Sequence, residues 1–170
     1  MKSGFTLIEL LIVMVIVGIL VTIALPKYNA SLERARAQEG IANLKAASDI
    51  MNAHYVMNGN AYPADGEGVL NTLGTHYVER SQFITGDFVK SKYFSQPQGN
   101  VTNSRSASVS VIRKEGSDSL YSLVASLSDG EILHIYCTPG SEGQESPNAH
   151  YCEEIGGEWS AFLGQWDLQQ

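Results

Sequence analysis

Basic residues are missing from the last third of this chain. Residues 115–170 contain ten Asp and Glu but no Lys or Arg, whereas residues 1–114 hold all eleven Lys and Arg and the other eight acids. A negatively charged surface repels phosphate, which argues against nucleic-acid binding by the C-terminal region. The simplest interpretation is an acidic, solvated surface, and the alternative is a surface complementary to a basic patch on a neighbouring subunit.

Sequence patterns that carry catalysis or bind cofactors are also lacking. There is no Gly-rich phosphate loop. Some acids are close enough in sequence to suggest a Ca²⁺ site, but none has the spacing of an EF-hand. These acids are Asp65, Glu67 and Asp87, and the pair Asp118 and Asp129. We therefore predict that the chain is not an enzyme and has no catalytic residues, no cofactor and no metal, with Ca²⁺ as the alternative.

The chain does contain a long apolar run, Gly4 to Pro26, with the sequence GFTLIELLIVMVIVGILVTIALP. Its 21 residues from Phe5 to Leu25 would form a helix of about 31 Å, close to the hydrocarbon thickness of a bilayer. A cleaved secretory signal is a poor alternative because the run is too long and Lys2 is its only early charge. A simple anchor does not explain Glu9, since a carboxylate inside a membrane span is costly and indicates a function.

The residues Gly4-Phe5-Thr6-Leu7-Ile8-Glu9, followed by the aliphatic stretch and Ala24-Leu25-Pro26, resemble the N-terminal motif of type IV pilins and type II secretion pseudopilins. The resemblance implies that a dedicated membrane peptidase cuts between Gly4 and Phe5 and methylates the new amine of Phe5. It also implies that residues 1–4 are a leader and that residues 5–26 are a transmembrane and assembly helix. Glu9 would then pair with the N-terminal amine of a neighbouring subunit during filament assembly.

Such a pairing would explain why a carboxylate is present at residue 9 although it is unfavourable inside a membrane. The amine of Phe5 is mostly cationic at neutral pH, and methylation keeps its charge. A buried ion pair adds little net stability, but leaving either charge unpaired costs several kcal/mol. We therefore expect the pair between Phe5 and Glu9 to act as a register device that rejects misaligned subunits.

The chain has only two cysteines, Cys137 and Cys152, which enclose a Gly-, Ser- and Glu-rich stretch. An even number of cysteines in an exported chain suggests a disulfide, and the resemblance implies the C-terminal disulfide loop of type IV pilins. Two alternatives remain, a zinc site that adds His134 and His150, and a thiol nucleophile with one of these histidines as its base. The spacing lacks the C-x-x-C pattern typical of zinc, and oxidation would remove the thiolate.

The helix is expected to continue beyond the apolar run, with a kink near Pro26 because proline lacks a backbone donor. Its amphipathic half, residues 27–58, would end at Asn58-Gly59.

Two apolar stripes lie on opposite sides of this half. We define the first stripe as Ala37, Ile41, Leu44, Met51 and Tyr55, and the second stripe as Tyr28, Leu32, Ala35, Ala42, Ala46, Ile50, Ala53 and Met57. A monomer needs one stripe, so the second indicates packing on neighbouring subunits, or else a helix buried on both sides. Glu33 and Glu39 interrupt the pattern.

The remaining sequence predicts a variable connecting region over residues 59–106 and an antiparallel sheet with a disulfide loop over residues 107–170. Segments 69–73 and 80–90 suggest short helical or irregular pieces, and Gln96–Ser108 is polar and typical of a loop. Three strands are predicted, joined by turns at Gly116-Ser117-Asp118 and Ser128-Asp129-Gly130. They are Ser106–Arg113, Leu120–Leu127 and Glu131–Cys137, with His134 on the sheet surface. The expected fold is α+β, a long N-terminal helix packed on a C-terminal antiparallel sheet.

The function implied by the resemblance is that of a structural subunit of a type IV pilus, which polymerises through its N-terminal helix into an extracellular filament for motility, adhesion or DNA uptake. The main pseudopilin of a type II secretion system is the alternative. The cysteine pair favours the pilus, and the pattern Tyr62-Pro63 followed by Gly68 favours the pseudopilin. An alternative of another class is a membrane-anchored periplasmic binding module or enzyme.

The implied partners are further copies of the chain, the prepilin peptidase and methyltransferase, the inner-membrane assembly machinery and the bilayer. The implied location is the bacterial inner membrane, and after assembly the extracellular pilus.

Overall fold

The computed structural model describes residues 6–62, 91–95, 97–140, 145–161 and 163–168. Two helices and six strands lie within these ranges. They are α1 (Leu7–Met57), β1 (Gln98–Asn103), β2 (Ser106–Glu115), β3 (Asp118–Ser128), β4 (Glu131–Thr138), α2 (Ala149–Glu154), β5 (Glu158–Ser160) and β6 (Gln165–Asp167). The processing residues Gly4 and Phe5, the acids Asp65, Glu67 and Asp87, and the segments 69–73 and 80–90 lie outside the described residues.

Helix α1 is the longest element and contains 51 residues. It ends at Met57, where the backbone and the side-chain amide of Asn58 both donate to the carbonyl of His54. Pro26 lies inside the helix and cannot donate a backbone hydrogen bond, yet the helix continues through it from Leu7 to Met57. The kink expected at Pro26 therefore stays a prediction, and any such bend leaves α1 one continuous helix.

The six strands form one antiparallel sheet in the order β1-β2-β3-β4-β6-β5. The central meander, β2 to β4, confirms the three predicted strands. Asp129 and Gly130 connect β3 and β4 with φ of 53° and 83°, and two consecutive positive φ values are typical of the type I′ turn that matches strand twist. Gly116, with φ of 63°, makes the turn between β2 and β3. The predicted α+β fold is confirmed.

The prediction of a loop over Gln96–Ser108 was wrong where β1 forms. The sequence of β1, QGNVTN, has no apolar alternation, yet its backbone pairs with β2 from Gln98 opposite Ser110 to Asn103 opposite Ser106. An edge strand needs only one partner and a few side chains to bury, so its pattern is weak. The short elements α2, β5 and β6 were not predicted either.

The core lies between one face of α1 and one face of the sheet. The first stripe of α1 is buried against the sheet, and Leu44 and Met51 are fully enclosed. Alternating residues of β2 and β3 face the helix, among them Val109, Val111 and Leu123. The helix is held close at Gly40, since a Cβ built there would lie 2.6 Å from Phe94 Cζ. Among the described residues, this packing leaves most of the opposite face of α1 and its whole N-terminal half uncovered.

Candidate assembly surface

The N-terminal half of α1 has no partner within the described part of the chain. Each large apolar side chain from Leu7 to Leu25 is at least half exposed, and its most apolar 18-residue window is entirely unburied. By length and composition this helix can cross a membrane. A monomer in water could not leave so much apolar surface exposed, so this segment must lie in lipid or against other protein.

Glu9 lies in the first turn of this exposed helix. Thr6 is the N-cap residue, and it forms a capping box with Glu9. The Thr6 hydroxyl and backbone N–H both donate to Glu9 Oε2, at 2.7 and 2.9 Å, while the backbone N–H of Glu9 donates to Thr6 Oγ1 at 3.3 Å. The carboxylate is therefore held at the N-terminus of the helix.

The second stripe of α1 stays largely uncovered. Of its eight members only Ile50 is buried, and Tyr28 and Met57 remain more than 60% exposed. Within the part of the chain that the structure describes, the hypothesis of a helix buried on both sides within its own domain is therefore wrong. The second stripe continues the exposed apolar surface of residues 7–25 to the end of the helix.

A buried ion pair joins α1 to the sheet where the helix first contacts the domain. Glu33 Oε1 accepts from Arg113 Nε at 2.7 Å, and Glu33 Oε2 accepts from Arg113 Nη2 at 3.0 Å. The Tyr121 hydroxyl donates to Glu33 Oε1 at 2.9 Å, and Arg36 Nη1 donates to Oε2 at 3.1 Å. Glu33, Arg113 and Tyr121 are each at most 4% exposed. We call these three residues, from α1, β2 and β3, the junction cluster.

The electrostatics of the junction cluster favour the charged pair. Burial alone would raise the pKa of Glu33, but hydrogen bonds from Arg113 and Tyr121 and the charge of Arg113 outweigh it, so the pKa lies below its usual value. Burial and the neighbouring charge of Glu33 raise the pKa of Tyr121, which keeps its hydroxyl as a donor. The cluster therefore holds one carboxylate, one guanidinium and one neutral phenol at neutral pH.

Sequence reasoning missed this cluster and treated Glu33 as a fault in the pattern. A usable signal was present, because Glu33 lies one turn before Ala37 of the first stripe. Arg113 likewise continues the inward parity of Val109 and Val111. Two opposite charges at positions that should both be buried indicate an ion pair across the core.

Cys137 and Cys152 form a disulfide whose Cα atoms are 5.7 Å apart, as predicted. Both residues are completely buried, and the bond ties β4 to α2. Because both sulfurs are in this bond, neither serves as a zinc ligand or as a nucleophile. His134 lies half-buried on β4, where its Nε2 is 3.2 Å from the side-chain nitrogen of Gln165.

The comparisons with known proteins agree with this geometry. Residues 1–25 match the family model for the prokaryotic N-terminal methylation motif. The type IV major pilin protein PilE of Neisseria gonorrhoeae is 34% identical over 132 residues, which cover 78% of this chain and 72% of the relative. The type II secretion system core protein G of Aeromonas hydrophila is 30% identical over 101 residues, covering 58% of this chain and 69% of the relative. The type IV major fimbrial protein FimA of Dichelobacter nodosus is 33% identical over 94 residues, covering 54% and 58%.

The chain belongs to the family of type IV pilins and type II secretion pseudopilins. The family assignment from the residues Gly4 to Glu9 is therefore confirmed. No solved structure matches the chain significantly. As a pilin-like protein, it combines the N-terminal methylation motif with a domain whose described residues cover one face of the second half of α1.

Proposed function

We propose that this chain is a structural subunit of a type IV pilus, and that it polymerises through its N-terminal helix into an extracellular filament. The observation that carries the proposal is the exposed apolar surface of α1, which runs from Leu7 along the second stripe to Met57. Its N-terminal half fits the hydrocarbon core of a bilayer before assembly. In a filament, copies of the same helix would replace the lipid.

Processing would generate the group that Glu9 needs. Cleavage between Gly4 and Phe5 would remove the leader, residues 1–4, and the N-methylated amine of Phe5 would remain cationic. Within one subunit the carboxylate of Glu9 is already held by Thr6, so an arriving amine would meet a preoriented acceptor. In the low-dielectric centre of a filament, a subunit out of register would leave both charges unpaired, at a cost of several kcal/mol.

The partners and location follow from the same proposal. The prepilin peptidase and methyltransferase would act on Gly4 and Phe5, and the inner-membrane machinery would then extract the helix from the bilayer. Residues 5–26 would serve as the transmembrane and assembly helix, and residues 27–58 as its amphipathic half. The variable region, residues 59–106, and the sheet region, residues 107–170, would then face the outside of the filament.

The main pseudopilin of a type II secretion system is the second candidate, and the 30% identity to a secretion core protein G supports it. The disulfide between Cys137 and Cys152 supports the pilus instead, since the resemblance associates this loop with type IV pilins. A membrane-anchored binding module or enzyme, in which the helix is only an anchor, would leave the second stripe of α1 without a purpose.

Mass spectrometry of the mature N-terminus tests the proposal. We expect a chain that begins with N-methylated Phe5. An intact Met1, or cleavage after Ala24, would reject assembly through the processed helix. Electron microscopy of cells expressing the chain then distinguishes the two candidates, because a pilus extends from the cell as a long filament and a pseudopilus does not do so at native expression.

A further inference from the structure

A cavity of about 440 Å³ lies beside the junction cluster, between α1, the end of the β2–β3 hairpin and α2. Its walls combine polar and charged side chains from all three elements. They include Asn29, Arg36, Glu115, Tyr151 and Glu154. The volume falls in the range of small-molecule sites. This cavity has no role in the proposed assembly of the helix.

The height of the cavity along α1 places it at the membrane surface when the subunit is inserted. The apolar run ends at Leu25, and a helix rises 1.5 Å per residue, so Asn29 lies about 6 Å and Arg36 about 16 Å above it. The polar headgroup layer extends roughly 5–8 Å beyond the hydrocarbon on each side. The lower wall of the cavity is therefore at headgroup depth, and the Cα of Arg36 in its upper wall lies roughly 8 Å or more beyond the headgroup layer, with a long side chain that points back toward the helix N-terminus.

Two small residues lie on the face of α1 below the cavity. At 100° per residue, Gly18, Thr22 and Leu25 lie on the same face of α1 as Asn29. A Cβ built on Gly18 meets no atom within 4 Å. Gly18 and Thr22 carry small side chains, so the surface of α1 is shallow at these two positions below the cavity.

The charges that border the cavity are of both signs. Arg113 and Arg36 both pair with the single carboxylate of Glu33, so the cluster keeps one excess positive charge, and 32% of the Arg36 side chain is exposed. Within the part of the chain that the structure describes, neither Glu115 nor Glu154 forms an ion pair. A ligand that matches this wall carries a negative group for Arg36 and a positive group for the two carboxylates.

We infer that the cavity binds the headgroup of a phospholipid that carries a primary ammonium group, such as phosphatidylethanolamine. Its phosphate would accept hydrogen bonds from Arg36 and Asn29, and its ammonium would donate to Glu115 and Glu154 beside the Tyr151 ring. A purely anionic headgroup would face two uncompensated carboxylates, and a choline headgroup has no N–H to donate. The inference rests on the proposed membrane-inserted state of the subunit.

Lipid retention by the full-length chain tests this inference. The protein is reconstituted into nanodiscs that contain equal amounts of phosphatidylethanolamine and phosphatidylcholine, with a constant fraction of phosphatidylglycerol. Native mass spectrometry then counts the lipids that remain bound after release. We expect about tenfold enrichment of phosphatidylethanolamine over phosphatidylcholine, as two charge-assisted hydrogen bonds would produce even after their desolvation.

Two double variants make the test specific. Glu115→Gln with Glu154→Gln should abolish the enrichment, whereas Glu131→Gln with Glu145→Gln removes the same charge away from the cavity and should preserve it. Equal retention of the two lipids by the wild type would overturn the inference, as would enrichment that survives in the cavity variant.

A further outcome assigns the cavity to another occupant. Loss of filaments in the cavity variant, without any lipid preference in the wild type, would assign the carboxylates to a basic side chain of a second copy and overturn lipid binding. The lipid measurement needs neither processing nor polymerisation. If Phe5 carried no N-methyl group, the proposed function would be refuted. The lipid measurement would still show whether the cavity binds phosphatidylethanolamine.

Discussion

Arg113 of β2 binds Glu33 of α1 through two parallel hydrogen bonds, in which Nε and Nη2 each donate to a different carboxylate oxygen, at 2.7 and 3.0 Å. Glu33 is also the first buried residue of α1, eight positions beyond Leu25. The ion pair therefore fixes the point at which the helix leaves the domain. Its two-point geometry sets the rotation of α1 as well as its height, because a guanidinium and a carboxylate pair in one plane.

Substitution of Glu33→Gln should destabilise the domain by about 3 kcal/mol, since it leaves the buried guanidinium of Arg113 without its counter-charge. The measurement is the free energy of unfolding of the full-length chain in detergent micelles, from denaturant titration followed by near-UV circular dichroism. Glu39→Gln is the matched control, because Glu39 is exposed on the same helix and its loss should cost less than about 0.5 kcal/mol.

Equal effects of the two substitutions would show that Glu33 contributes only surface charge. The combined variant Glu33→Met with Arg113→Met offers a second check, because removal of both charges leaves none uncompensated. We expect it to be more stable than Glu33→Gln alone.

The ion pair should also give the stability a defined pH dependence. The pKa of Glu33 lies below its usual value in the folded chain, so the unfolded state binds more protons at acid pH. The stabilisation by Glu33 is therefore complete above its unfolded pKa of about 4.3 and is lost as the pH falls through the lower folded pKa. Unfolding measured from pH 7 to pH 3 should show the advantage of the wild type over Glu33→Gln shrink below about pH 4.3. A difference that stays constant to pH 3 would contradict this.

The strands that could be predicted from the sequence are those with a buried face. In β2 the alternation of Val109 and Val111 with serines shows which side chains point inward, and the Asp129-Gly130 turn fixes the register with the next strand. Strand β1 has a single apolar side chain, Val101, packed against the core and otherwise pairs through its backbone, so composition indicates a loop. Its pairing depends on the edge that β2 offers, which is a tertiary property.

The candidate site was predictable to a similar degree. The apolar run and Glu9 are local signals, and both stripes of α1 follow from helical periodicity. The junction cluster depends on a contact between residues 80 positions apart, so its only sequence signal is that Glu33 and Arg113 each fall at a position expected to be buried. The cavity beside it is assembled from three elements, one of them the unpredicted helix α2.

Gly40 allows the closest approach between α1 and the sheet. A Cβ at this position would lie 2.6 Å from Phe94 Cζ and 2.9 Å from Leu123 Cδ1, and both of these side chains are enclosed in the core. Gly40→Ala should therefore destabilise the domain by about 1–2 kcal/mol, even though alanine favours the helix by about 1 kcal/mol. Gly18→Ala is the matched control, since nothing lies within 4 Å of its Cβ position. Unfolding free energies should fall for the first variant alone, and a stabilised Gly40→Ala would refute the close contact.

The disulfide should stabilise the C-terminal part of the sheet. Cys137 and Cys152 are 15 positions apart, and opening a loop of that size costs about 3 kcal/mol in the chain-entropy model. Reduction should lower the denaturant midpoint of the wild type to that of the variant Cys137→Ser with Cys152→Ser. The variant itself should not respond to reductant. An unchanged midpoint after complete reduction would mean that the packing of α2 alone holds this region.

Glu9→Ala should leave the chain inserted in the membrane but block or weaken filament assembly, because the N-terminal amine of a neighbouring copy would lose its buried partner. Thr6→Ala separates this effect from helix capping, since it removes the hydroxyl that Glu9 accepts from and keeps the carboxylate. Loss of a cap costs about 1 kcal/mol of helix stability, whereas an unpaired charge costs several. Membrane fractionation and filament counts by electron microscopy should thus show both variants inserted and only Glu9→Ala deficient in filaments. Normal filament numbers in Glu9→Ala would refute the ion pair, and equal losses in both variants would assign Glu9 to the cap alone.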